Sequence, residues 1–124
     1  MQIHHVAIIA SDYARSKDFY TRILGLEIIR ETYRKERQSY KLDLRVGDAQ
    51  IELFSFPTPP RRPTNPEACG LRHLCFTVPD LDQTRERLLA HGQSLEEVRI
   101  DETTGKRFFF FRDPDDLPLE IYER

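Results

Sequence analysis

Along this chain, apolar and polar residues alternate with a period of two in several short runs, a pattern that puts every second side chain on one face of a strand. Runs rich in Ile, Leu, Tyr and Phe predict strands at residues 2–10, 26–35, 38–46 and 49–56. Between the first two, "SDYARSKDFYTRILG" changes to helical spacing. Ser11 or Asp12 is a cap, Phe19, Tyr20, Ile23 and Leu24 form an apolar stripe, and Gly25 is the stop. The stretch "SFPTPPRRPTNPEACG" holds five of the eight prolines, too few backbone donors for a continuous ladder, and is predicted to be a semi-rigid linker. The same order of elements then returns. A strand "LRHLCFTV" precedes the helix "PDLDQTRERLLAHG", which has Asp80 or Asp82 as cap and Gly92 as stop, and strands follow near 95–100, 106–112 and 118–123. Each half reads βαβββ. The expectation is an α+β fold of two βαβββ modules in tandem, module 1–56 and module 71–124, joined by the Pro-rich linker 57–70 into one domain spanning 1–124.

Composition narrows the partners. The chain has 124 residues, enough for one domain with a core. With 32% charged and 39% hydrophobic residues it has the make-up of an ordinary soluble protein. A net charge of −2 gives no electrostatic reason to expect nucleic acid or an anionic membrane as partner. The opening "MQIHHVAIIA" lacks a basic n-region and a signal-length apolar run, and no membrane span is predicted. Cys69 and Cys75, without an export signal, are expected to be free thiols in the cytoplasm.

The recurrence of elements invites a test for internal repetition. Shifting the chain by 68 residues places His5 on His73, Asp12 on Asp80, Ile51 on Leu119, Glu52 on Glu120 and Leu53 on Ile121. Taken alone, His73 in an apolar strand is a hydrogen-bonded core residue, and either glutamate is an edge residue facing water. The shared offset changes that balance. Two modules related by a pseudo-twofold would bring equivalent positions around one cleft, so His5, Glu52, His73 and Glu120 are candidate ligands. Two imidazoles and two carboxylates suit a divalent metal with open positions, and a metal would offset the cost of carboxylates on the apolar strands "QIELF" and "PLEIY". Strand parity puts Ala7 and Ile9 on the face of His5, Phe54 and Phe56 on that of Glu52, and Tyr122 on that of Glu120. Of the adjacent pair, His5 keeps the spacing to Asp12 that His73 keeps to Asp80, so His4 is expected to point the other way.

At this level of detail "HHVAIIASDYARSKDFYTRILGLEII", "QIELF", "LRHLCFTVPDL" and "DPDDLPLEIYE" resemble the vicinal oxygen chelate (glyoxalase/bleomycin resistance/dioxygenase) superfamily, in its glyoxalase I (lactoylglutathione lyase-like) branch. The resemblance covers nearly the whole chain. It implies a cup-shaped mixed β-sheet around a metal site, and a ligand pattern His, Glu, His, Glu that transfers onto His5, Glu52, His73 and Glu120. It also implies one divalent ion (Ni, Co, Zn, Mn or Fe), and a homodimer or a single chain completing the site. The implied activity is that of a metal-dependent lyase or isomerase. A substrate oxygen is polarised on the metal, a carboxylate, Glu120 or Glu52, takes a proton from the neighbouring carbon, and an enediolate forms.

The resemblance also marks departures. Members of that branch commonly carry an arginine where this chain has Ile9 and an asparagine where it has Phe56. Both would touch glutathione, so the expected small-molecule substrate is not the standard glutathione hemithioacetal. Lys106 matches a Gly-Lys that helps hold an anionic substrate, and Tyr122 is expected beside it in the cleft. His91 is expected to serve the end of its helix, and Cys75 to be a small buried side chain. The basic runs "YRKERQSYK" and "TGKR" are expected to be solvated edges. Two other classes stay open: another metalloenzyme of the fold, whether an extradiol-type dioxygenase or a thiol transferase for antibiotic resistance, and a ligand-sequestering binding protein. The first typically uses three protein ligands and the second usually lacks them, so four donors weigh against both.

Overall fold

The computed structural model describes residues 1–124 and divides into two compact units, Met1–Arg61 and Arg62–Arg124. In the first unit β1 (His5–Ala10) leads into α1 (Tyr13–Asp18), whose last turn widens into a π-helical segment, Phe19–Ile23. Then come β2 (Glu27–Arg34), a 3-10 turn (Lys35–Arg37), β3 (Ser39–Val46) and β4 (Ala49–Ser55). The second unit repeats the plan with β5 (Leu74–Val78), α2 (Leu81–Ala90), β6 (Arg99–Ile100), β7 (Arg107–Arg112) and β8 (Pro118–Glu123). The order is β1-β4-β3-β2 in one sheet and β5-β8-β7-β6 in the other. The first strand pairs parallel with the last in each unit, and the remaining pairs are antiparallel.

The helices start and stop where the sequence predicts. Asp12 caps α1 by accepting from the Arg15 amide at 3.1 Å, and Asp80 caps α2 by accepting from the Gln83 amide at 2.9 Å. Gly25 and Gly92 follow the helices with φ of 77° and 76°, the left-handed turn-off that an L side chain resists. Each helix packs on the last strand of its own unit. The side chains buried there are Leu42, Leu44, Ile51 and Leu53 with Phe19, Tyr20 and Ile23 in the first unit, and Phe109, Phe111, Leu119 and Ile121 with Leu81 and Leu88 in the second. Strand alternation turns the other face of each sheet away from its helix. That open face carries Glu52 and Glu120.

Three predicted strands are shorter than expected: the run from 2 to 10 begins only at His5, and for the other two a reason is visible. The run from 71 to 78 becomes a strand only at Leu74, because the Arg62 guanidinium takes the carbonyls of Leu71 and Arg72, so His73 sits one residue before β5. The run from 95 to 100 shrinks to Arg99–Ile100. Although the Glu96 amide bonds to the Phe110 carbonyl at 2.9 Å, the Glu96 carbonyl is taken by the Arg85 side chain at 2.8 Å. No helix is long and apolar enough to cross a membrane.

Truncating Phe109, fully buried in β7, should cost about 3–5 kcal/mol through lost burial and a residual cavity. Leu89→Ala, on the exposed side of α2, should stay within about 0.5 kcal/mol. Urea unfolding followed by circular dichroism measures both.

Candidate metal centre: two imidazole-carboxylate pairs

In the first unit Ala7 and Asp43 flank Glu52 in the ladder, from β1 and β3. His5, two residues before Ala7 on the same face, brings Nε2 to 3.7 Å from Glu52 Oε2. The other Glu52 oxygen lies 2.9 Å from Lys41 Nζ, which also sits 3.0 Å from Asp43 Oδ1. Arg30 closes the row with two bonds to Asp43 Oδ2, at 3.0 and 3.2 Å. Burial pushes the Asp43 carboxyl up, but the Lys41 ammonium and the Arg30 guanidinium together outweigh it and hold it below the usual carboxylate range. Further along the face Phe54 and Phe56 stack at 6.0 Å, with the Arg34 guanidinium 4.7 and 5.6 Å from their centroids. Ile9 is 53% exposed on the His5 face.

The second unit builds the same pair with different neighbours. Here Glu120 lies between Cys75 and Phe110 in the ladder, so Phe110 occupies the position that Asp43 holds beside Glu52. His73 Nε2 is 3.1 Å from Glu120 Oε2. Its Nδ1 is 3.2 Å from Arg72 Nη1. Arginine can only donate, so Nδ1 accepts, and the network assigns the ring proton to Nε2, facing Glu120. The Phe110 ring meets His73 edge-on with centroids 5.1 Å apart.

Cys75 corrects an expectation. It is exposed rather than buried, because strand parity turns it to the open face with Glu120. Partial desolvation of the thiol, followed by the charge and hydrogen bonding of Glu120, pushes it up to about 12.

The other predicted residues fall as follows. Tyr122 stacks on Phe108, donates to Asp101 Oδ2 at 2.9 Å and bonds to the Thr104 hydroxyl. Lys106 Nζ donates to the Arg124 carbonyl at 2.8 Å. His91 Nδ1 donates to the Arg87 carbonyl at 2.8 Å, the helix-end role expected of it. His4 is a second correction. It lies outside β1, so strand alternation does not govern it, and its Nδ1 sits 2.8 Å from that of His5. Sequence reasoning missed Lys41, Asp43 and Arg72. The signal for the first two is the alternation of polar Lys41, Asp43 and Arg45 with apolar Leu42, Leu44 and Val46, which puts them on the face of Glu52. The structure gathers no group of three or more His, Cys, Asp or Glu; the donors come as these two pairs.

Paired βαβββ units define a recognisable class, and comparison with known proteins agrees on the fold. Residues 2–121 match the family described as the Glyoxalase/Bleomycin resistance protein/Dioxygenase superfamily, and the chain belongs to it. YwkD of Bacillus subtilis (strain 168) is 60% identical over 98% of this chain and 96% of its own length. YaeR of Escherichia coli (strain K12) is 56% identical over 99% and 96%. The crystal structure of SMU.1112c superposes with a TM-score of 0.95 at 50% identity, covering 99% of this chain and 98% of that one. Among more distant relatives, a 2-epi-5-epi-valiolone epimerase of Actinomyces sp is 28% identical over 96% of this chain and 77% of its own.

The ionic row on the first sheet makes a pH prediction. A carboxylate whose folded pKa is lowered contributes stability that is complete above the ordinary aspartate value of about 3.9 and is lost as pH falls through the folded value. Asp43→Asn should therefore flatten the acid side of the stability profile, read as urea midpoints from about pH 7 down to about pH 3. Lys41→Met should cost about 1–3 kcal/mol at neutral pH, because it leaves a buried carboxylate short of a partner.

Proposed function

We propose that this chain is a metal-dependent lyase or isomerase of glyoxalase I type, acting as a cytoplasmic homodimer, with His5, Glu52, His73 and Glu120 as ligands of one divalent ion. The observation that carries the reading is the repetition of one His-Glu pair, at 3.7 and 3.1 Å, beside the parallel ladder of both units. Two imidazole nitrogens and two carboxylates form a donor set that Ni, Co, Zn, Mn and Fe all accept. Bound there, the ion supplies Lewis-acid polarisation of a substrate oxygen.

The chain's own groups do the rest. A carboxylate takes the proton from the carbon next to the polarised oxygen and returns it to the same or the adjacent carbon, giving epimerisation or isomerisation. Glu120 is the better base of the two, since Glu52 is clamped by Lys41 at 2.9 Å while Glu120 is held by His73 and Cys75. The epimerase among the relatives is in keeping with this side of the reading. Ile9 and Phe56 give the site apolar surface where a glutathione-dependent enzyme would want polar groups, and Lys106 and Tyr122 are the polar contacts for a smaller substrate. A relative named as a putative ring-cleaving dioxygenase, 29% identical over 98% of this chain and 41% of its own length, suggests the competing chemistry. A second carboxylate in the donor set weighs against that alternative.

Metal titration tests the ligand set. His5→Ala and His73→Ala should each weaken binding by more than the roughly 10–100-fold that loss of an outer contact costs, while His91→Ala should bind as the parent does. Equal affinity in all three would refute the site. The substrate is tested with metal-loaded protein, methylglyoxal and glutathione, followed as S-lactoylglutathione. The expected kcat/KM lies below about 10⁴ M⁻¹s⁻¹, the lower end of the usual enzyme range.

A further inference from the structure

A cavity of about 230 Å³ lies within the second unit, between the segment Arg62–Ala68 and the open face of the sheet. Four arginines line it, Arg62, Arg72, Arg99 and Arg112. Three have carboxylate partners: Glu67 at 2.9 Å from Arg72, Glu96 at 3.4 Å from Arg99 and Asp116 at 3.1 Å from Arg112. Arg62 has only neutral acceptors, the Thr64 hydroxyl and the carbonyls of Leu71 and Arg72. The four arginines therefore carry one positive charge more than their three carboxylate partners, of which Glu67 and Glu96 line the cavity and Asp116 does not.

We infer that this cavity binds the carboxylate of a small organic acid and delivers that acid to His73 and Glu120. The first half stands on the cavity alone, and the second rests on the metal reading above. The three partnered arginines form solvent-exposed pairs, which are weak, so an entering carboxylate can share or replace them. A planar guanidinium matches a carboxylate with two parallel bonds. Arg99 is also held in place, stacked 5.0 Å from the Phe108 centroid and 5.5 Å from that of Phe110, which lowers the entropy lost on binding. The segment over the cavity is anchored, because the Thr64 hydroxyl donates to the Asp116 carbonyl at 2.9 Å.

The size and charge of the cavity set the ligand class. At about 230 Å³ it is smaller than the roughly 300–1,000 Å³ of sites for drug-sized ligands, so a tripeptide is too large and a short-chain acid fits. Glu67 and Glu96 in the wall repel a more highly charged anion, which favours a monoanion over a phosphate dianion. The connection to the imidazole-carboxylate pair runs through two residues. Phe110 lines the cavity, stands opposite Glu120 in the ladder and touches His73 edge-on. Arg72 lines it too and bonds to His73 Nδ1. An acid held by its carboxylate thus lies along Phe110 toward the pair.

The test is a titration of chelator-treated, 15N-labelled protein with butanoate, butanamide and inorganic phosphate, read by amide chemical shifts. Butanoate should give saturable shifts confined to residues 62–72, Glu96, Arg99, Phe110 and Arg112, weaker at high salt, and butanamide should give none. Arg99→Gln and Arg112→Gln should each raise the butanoate Kd by about tenfold with thermal unfolding unchanged, the expected loss for one charge-assisted contact. Tighter binding of phosphate than butanoate, scattered shifts, or parental affinity for butanoate in both arginine variants would overturn the carboxylate site. Delivery to the pair is read in protein loaded with Mn²⁺, where the protons of bound butanoate should broaden. Butanoate that binds Mn²⁺-loaded protein without broadening overturns delivery and leaves the carboxylate site standing. Failure to bind Mn²⁺ at all counts against the metal reading, and with it the delivery, while the chelator-treated result is unaffected.

Discussion

The parallel pairing of first and last strand within each unit is the constraint on which the rest depends. A parallel ladder holds β1 against β4 and β5 against β8. It thereby sets an imidazole at or just before the start of one strand beside a carboxylate in the middle of the other. The alternation that buries Ile51 and Leu53, or Leu119 and Ile121, under the helix must turn Glu52 and Glu120 to the opposite face. A slip of one residue would drive both carboxylates into the core. The packing of the apolar face therefore holds the polar one in place.

Around this shared frame the units have diverged. Beside Glu52 the cross-strand neighbour is Asp43, and two cations, Lys41 and Arg30, balance the two carboxylates. At the equivalent place beside Glu120 stands Phe110, part of an aromatic wall with Phe108 and Tyr122 under the Arg99 guanidinium. One half answers the cost of a half-buried carboxylate with charge. The other leaves Glu120 with an imidazole and a thiol and no cation of the Lys41 kind beside it.

That division bears on substrate choice. The open face of the first unit carries Ile9 and a Phe54-Phe56 stack beside the Arg34 guanidinium, whereas the cavity beside Phe110 in the second unit is lined by four arginines. Membership of a superfamily that spans lyases, dioxygenases and resistance proteins does not choose among chemistries, because function lies in the site rather than the fold.

Much of this was legible in the sequence, because the relevant rules are local. Period-two alternation, aspartate caps and glycine stops act over a few residues, so both βαβββ units follow from them, and the shared offset marks His5, Glu52, His73 and Glu120 as candidates, which the structure brings together as two pairs. The close relatives and the family match support the family assignment made from those motifs. What tertiary structure decided depends on groups far apart in the chain. Arg62 captures the carbonyls of Leu71 and Arg72 and keeps His73 just outside its strand. Lys41 reaches Glu52 only because β3 and β4 pair in that register, and Cys75 is exposed because its strand parity is that of the open face. The cavity joins Arg62, Arg72, Arg99 and Arg112 from four separate segments, and no local pattern marks them as neighbours. Side-chain direction along a strand is a property of the backbone repeat, whereas which strands and loops meet is set by the packing of the whole unit.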